Sequence, residues 1–168
     1  MIAPSYLLRA LLGLGVGSVA LAGCAASSGP SQPSAAVPAK PSIAMLAKQY
    51  LTIAEPANRV LDKSFDALED NDDDLGASSA LLRTIVATER SFDRELLTLK
   101  LPPAMRETAV ELVRVNEARA DFTARAARAT SVVSLRRNEP DLDAMNAPVE
   151  EQVRLLRKGL GLPPPATD

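Results

Sequence analysis

The 168-residue sequence has no histidine and no tryptophan, and its only cysteine is Cys24. Without an imidazole there is no Ser-His-Asp or Cys-His catalysis, no histidine-ligated haem and no zinc site of the usual nitrogen/sulfur type. A single thiol rules out an internal disulfide, so the folded part must hold by packing alone. Aromatic residues make up 3% of the chain, leaving Tyr50, Phe65, Phe92 and Phe122 as the only ones beyond the first segment. The net charge is −2 and the basic residues form no stripe, so no nucleic-acid partner is expected. Arginine outnumbers lysine 14 to 5 and alanine is abundant, a bias that usually reflects a GC-rich genome. The longest apolar run, Ala10–Leu21, is short of the ~20 residues a membrane-spanning helix needs.

That run has the length of a signal-peptide core and follows Arg9, the only charged side chain before Lys40. It ends in Leu21-Ala22-Gly23-Cys24, an aliphatic residue and two small residues before a cysteine. Here the chain resembles bacterial lipoprotein precursors, matching their lipobox at all four positions. The resemblance implies cleavage after Gly23, a diacylglyceryl thioether on Cys24 and acylation of the new amino group with a palmitate-type chain. Two chains hold far better than one, because each buried methylene adds ~0.8 kcal/mol and a single myristoyl chain binds only marginally. No twin arginine precedes the run, so export by the general secretory route is expected, ending on the extracytoplasmic side of the cell membrane. The stretch containing Tyr50, Pro56 and Asn58, with the final Gly161-Leu162-Pro163-Pro164, is also similar to uncharacterised actinobacterial lipoproteins, a likeness that implies no activity.

Four regions follow: a signal peptide at 1–23, the lipidated cysteine with a Ser/Pro-rich tether at 24–41, a helical domain at 42–162 and a tail at 163–168. As a coil the tether would reach ~23 Å, and as an extended polyproline segment roughly 50 Å. Ser42 is a good N-cap for a first helix with a stripe at Leu46, Tyr50, Ala54, Leu61, Phe65 and Leu68. The stripe stays in phase across Pro56, which favours one kinked helix over two. Asp70, Asp72, Asp73 and Asp74 form an acidic turn. Three of them match the first ligand positions of a calcium loop, but Leu75 and Leu81 occupy the places that need glycine and glutamate. A solvated turn with Asp74 capping the next helix is therefore expected.

The second helix is expected over 75–101, with Leu82, Ile85, Phe92 and Leu96 inward. Glu89 falls in a gap of that stripe, as a buried acid or, more commonly, as an edge residue pairing or snorkelling outward. A third helix is expected from Pro103 through Val133, with Leu112, Val115, Ala118, Phe122, Ala126 and Ala129 inward. Asp121 and Arg125 stand at favourable i,i+4 spacing on its outer face. A fourth begins near Asp141 and runs through Met145, Val149, Val153 and Leu156 to Gly159 or Gly161, with Arg157 and Lys158 suited to the last turn.

Four amphipathic helices with short connections predict an all-α, up-down-up-down four-helix bundle. One end would hold the tether, the Pro102 turn and the C-terminus; the other, about 40 Å away at ~1.5 Å per residue, the acidic turn and Arg136-Arg137. The shorter fourth helix could leave a groove at the tether end lined by Leu46, Tyr50, Leu96 and Met105, unless Leu160, Leu162 and the prolines cover it. The methionines start helices at opposite ends and cannot converge, and no pair of acids is expected together on an apolar face. No enzyme, metal or cofactor is expected. The favoured expectation is a lipid-anchored, noncatalytic envelope protein with an interaction or assembly role and a protein partner; the alternative is a carrier or sensor of a small apolar ligand or lipid in that membrane-proximal groove.

Overall fold

A computed structural model describes residues 41–165, and among these every regular element is helical. Helix α1 spans Ile43–Asp70, α2 Leu75–Thr98, α3 Pro103–Ala126, the short α4 Val132–Arg136 and α5 Glu139–Gly159. Ser42 starts α1, its hydroxyl accepting from the Met45 amide at 3.2 Å. Pro56 lies inside α1 without ending it, because apolar positions on both sides of it are buried, Tyr50 and Ala54 before it and Leu61 after it. Asp74 caps α2, with Oδ1 accepting from the amides of Gly76 (2.8 Å) and Ala77 (3.0 Å). Pro103 sits in the first turn of α3, where its missing N–H costs nothing.

The third helix is shorter than the apolar spacing predicts. It stops at Ala126, and Val133 is 70% exposed on α4. The cause is a local capping box: Ser131 Oγ accepts from the Ser134 amide while Ser134 Oγ accepts from the Ser131 amide. These bonds reward a fresh helix start over continuation. The last helix begins two residues earlier than expected, at Glu139, with Pro140 in its first turn. It closes in a Schellman motif: Gly161 adopts φ +68°, and the Leu162 amide donates to the Arg157 carbonyl at 2.9 Å.

Pairings across the helices fix the topology. Tyr50 meets Phe92 while Leu61 clusters with Leu82 and Ile85, Asp93 meets Asn116 while Glu89 meets Arg119, and Arg119 reaches Asn146 while Leu112 clusters with Val153, so residue numbers rise on one helix as they fall on its neighbour. The four long helices therefore alternate in direction as a bundle, with α1 on α2, α2 on α3 and α3 on α5. One apolar cluster fills the end holding the α2–α3 turn, drawing on Leu46, Tyr50, Leu96, Leu112, Val153 and Leu156. A smaller cluster at the other end contains Leu61, Leu82, Ile85, Ala126 and Ala127.

The gap that a shorter fourth helix could leave at the first end is closed. Leu46, Tyr50 and Leu96 are fully buried, and Met105 packs against the same cluster. Leu160 is 2% exposed there, Leu162 lies over it, and Arg157 Nε donates to the Pro163 carbonyl at 2.7 Å, drawing the proline segment back onto the bundle. A shorter fourth helix thus leaves no gap, because the segment after it folds over the end.

Candidate functional site

Between the two apolar clusters lies a buried polar layer. Glu89 and Asp93, one turn apart on α2, are each 2% exposed; facing them on α3 are Asn116 and Arg119, at 3% and 4%. Arg119 Nη2 pairs with Glu89 Oε1 at 2.8 Å and donates to Asn116 Oδ1, also at 2.8 Å. Asn116 Nδ2 donates to both Asp93 oxygens at 3.0 Å, and Arg119 Nη1 reaches Asn146 Oδ1 on α5 at 3.4 Å. Two atoms of this layer have no hydrogen-bond partner: Glu89 Oε2 and Arg119 Nε. An orphaned buried polar atom costs about 1–3 kcal/mol, more when charged, so each calls for an explanation.

The unpartnered Glu89 oxygen belongs to a side chain lining a cavity of about 310 Å³. Helices α1 and α5 approach each other less closely than sequence neighbours do, and the cavity lies at the end of the bundle that holds α4, lined by residues of all five helices. Its walls are the apolar side chains of Phe65, Leu68, Leu82, Ile85, Leu135 and Leu142. Glu89 and Arg119 form its polar inner part, and Glu69, Asp72, Arg136, Glu139 and Asp143 its outer part. The volume falls at the small end of the ~300–1,000 Å³ range of ligand pockets. The two hydroxyl side chains at the cavity are engaged, Ser78 Oγ donating to the Asn71 carbonyl and Thr123 Oγ1 to the Arg119 carbonyl.

Burial raises Glu89 above the usual carboxylate range, and Arg119 opposes the rise. Asp93 is pushed up to about 7, first by burial; Asn116 opposes this through its hydrogen bonds, Glu117 and Glu89 add repulsion, and Arg119 pulls the other way. Folding therefore favours neutral Asp93, a contribution fully present below the ordinary pKa of 3.8 and lost as pH rises through about 7. At ~1.4 kcal/mol per pKa unit the loss reaches at most about 4 kcal/mol. Asp93→Asn should accordingly be more stable than the parent at pH 8, with the gain shrinking as pH falls toward 5. Urea midpoints of both proteins at the two pH values check this; an unchanged difference would show that Asp93 does not titrate in this range.

At the first end, Tyr50 is raised to about 12 by burial, with the nearby Arg157 guanidinium opposing the rise. Neither Tyr50 Oη nor Arg157 Nη2 completes a hydrogen bond of normal geometry.

Comparison with family models, curated proteins and solved structures found no match to this chain. The site must speak for itself.

Cys24 and the signal segment lie outside the described residues. The four groove residues, Leu46, Tyr50, Leu96 and Met105, are brought together, but as packed core rather than a lined opening. In the acidic turn, Asp72 and Asp73 each accept from Arg136 Nη2 at 2.8 Å and Asp74 is the α2 cap. Among the described residues no group of three or more His, Cys, Asp or Glu side chains is arranged to hold a metal ion.

Three expectations need correction. Acids do lie together on an inward face: Glu89 is buried, not snorkelling, and Asp93 joins it. Helix α3 keeps Leu112, Val115 and Ala126 inward as its apolar spacing predicts, but between them Asn116, Arg119 and Thr123 face inward while Ala118 is exposed and Phe122 is half-buried under Arg125. Asp121 pairs with Arg90 across the helices rather than with Arg125. The reason is complementarity: the carboxylates of α2 need buried donors at the same level, and only Asn116 and Arg119 supply them. The signal was present as polar residues three or four apart on both helices, Glu89/Asp93 and Asn116/Arg119. Nothing in either helix alone shows that the pairs meet.

Proposed function

We propose that this is a lipid-anchored, noncatalytic envelope protein whose bundle carries or senses a small ligand in the cavity at its α4 end. The address rests on the lipobox at Cys24 and the signal-like run before it. The binding role rests on one observation, the cavity of about 310 Å³ whose walls are apolar and whose polar part includes Glu89 and Arg119. A ligand there would bury its apolar body against Phe65, Leu82, Ile85 and Leu142. A noncatalytic role is supported by the chemistry of the lining: Glu89 is held by Arg119, and both hydroxyls are bonded to main-chain carbonyls. An assembly role finds less support, because the large exposed apolar side chains, among them Met45, Leu97, Val110 and Leu155, are spread over all four long helices.

On this reading the chain order sets an orientation: Leu46 and Leu96 lie toward the tethered end, and the cavity, lined by α4 residues, lies toward the end remote from the membrane.

Cys24→Ser should move the protein from the membrane fraction to the soluble extracytoplasmic fraction and abolish incorporation of labelled palmitate. Labelling that persists in the variant would refute the anchor. For the ligand, native mass spectrometry after gentle extraction should show a small-molecule adduct on the anchored protein. Filling the cavity with Leu142→Trp should remove that adduct while leaving palmitate incorporation intact; an adduct that survives the filling lies elsewhere.

A further inference from the structure

We infer that the tethered end of the bundle is itself a membrane-binding surface. It docks end-on against anionic phospholipid headgroups through Lys48, Lys100, Arg106 and Lys158, with Ile43, Met45 and Leu97 at the headgroup boundary. The inference rests on the lipid-anchor reading above and adds a second contact with the same membrane.

The charges divide along the bundle axis. The first end is built from segments 42–48, 94–107 and 154–165, which meet in one apolar cluster through Leu46, Leu96, Leu101, Met105 and Leu160. These segments carry seven Lys and Arg residues against two acids, Glu95 and Glu107. Segments 66–79 and 121–143, at the other end, carry ten acids against four arginines. The basic charges of the first end are also unengaged. Lys48, Arg94, Lys100, Arg106 and Lys158 are exposed and belong to no ion pair among the described residues. At the other end Arg136 is held between Asp72 and Asp73. A negatively charged surface therefore attracts the first end and repels the second, which turns the bundle end-on.

Apolar exposure follows the same division. Among the described residues seven large apolar side chains are exposed, and five of them, Ile43, Met45, Leu97, Val110 and Leu155, lie in the tethered half. Ile43 and Met45 open α1, 42% and 53% exposed, and Leu97, 51% exposed, closes α2. Lysines stand three residues beyond Met45 and Leu97. Such a mixture suits an interface: apolar groups enter the headgroup boundary while the ammonium groups stay among the phosphates. Continuity selects a membrane over an acidic protein as the partner. The chain from Cys24 enters the fold at Ser42, in this same end. Residues 24–41 reach ~23 Å as a coil. An anchored bundle thus meets the headgroups at an effective concentration in the millimolar range, enough to populate a contact too weak to hold alone.

The lysines are natural reporters. The test uses the full lipidated protein in nanodiscs of phosphatidylcholine, with or without an equal part of phosphatidylglycerol, and follows acetylation of each lysine by a water-soluble reagent. At low salt Lys48, Lys100 and Lys158 should react about three- to tenfold more slowly on the anionic nanodiscs than on the neutral ones. Lys63, in the far half of α1, should change by less than about twofold. Salt at ~0.5 M should remove most of the difference, because the screening length falls to a few ångströms. Lys100→Glu combined with Lys158→Glu, both at exposed positions, should restore the reactivity of Lys48. Equal reactivity on the two lipids overturns the docking surface. Equal slowing of Lys63 also overturns it, since the bundle would then lie on its side. Retention on neutral nanodiscs at high salt reads the anchor separately. A protein retained there without lysine protection on either lipid keeps the anchor and loses the docking surface. A protein lost from neutral nanodiscs but held and protected on anionic ones supports the docking surface and overturns the anchor; loss from both overturns both.

Discussion

Arg119→Met should destabilise the bundle by about 3–5 kcal/mol, the usual cost of removing one partner from a buried ion pair. The Glu89 carboxylate would remain 2% exposed with neither of its oxygens paired to a cation. Asn116 Oδ1 would lose its donor as well, which loosens the Asn116–Asp93 contact behind it. Replacing both charges, Glu89→Leu with Arg119→Met, should recover most of the loss, because apolar residues of similar volume are often neutral or better in place of a buried pair. Urea unfolding of the single and double variants reads both effects. A single variant that loses under about 1 kcal/mol, or a double as unstable as the single, would mean the pair is not desolvated as described. The layer joins α2 to α3 and, through Asn146, to α5, so the same residues that serve as the cavity's polar inner part also hold the register of three helices.

Leu96→Ala should cost about 2–5 kcal/mol, whereas Leu97→Ala should stay within about 0.5 kcal/mol of the parent. The two residues are adjacent on α2 and chemically identical, and differ only in where the helix points them: Leu96 is fully buried and Leu97 is 51% exposed. Leu96 sits in the cluster with Leu46, Tyr50, Leu112 and Leu156, so truncation leaves a cavity with close-packed walls. The pair of variants also separates a packed first end from an open one. In an open groove the cost of Leu96→Ala would fall to a kcal/mol or so, since no enclosed void would form. Similar midpoints for the two variants in urea would therefore reopen the groove at that end.

The helices themselves were legible because their signals are local. Ser42 and Asp74 stand where caps are needed, and apolar residues recur every three or four positions over several turns. Short turns at 71–74 and 99–102 force neighbouring helices to run in opposite directions, which is enough to state the bundle. Where the local signal was weak the reading slipped. The alanine-rich end of α3 continues the spacing through Ala129 and Val133, but the Ser131–Ser134 box stops the helix first. A capping box involving serine at both positions, without the usual glutamate or glutamine, is easily passed over.

The sequence alone determined what depends on neighbours in the chain: an all-helical domain, its turns, a chain free of imidazole chemistry and the lipobox that motivates the proposed anchor. The tertiary structure decided which charges go inside and where the empty space lies. Glu89 and Arg119 are 30 positions apart, and each reads as a surface residue until the two helices set them at one level. The cavity likewise arises from four helices and α4 meeting imperfectly at one end, a property of no single stripe. Periodicity reports which face of a helix is apolar, but burying a charge depends on whether another helix brings it a partner, and that is fixed only when the helices pack.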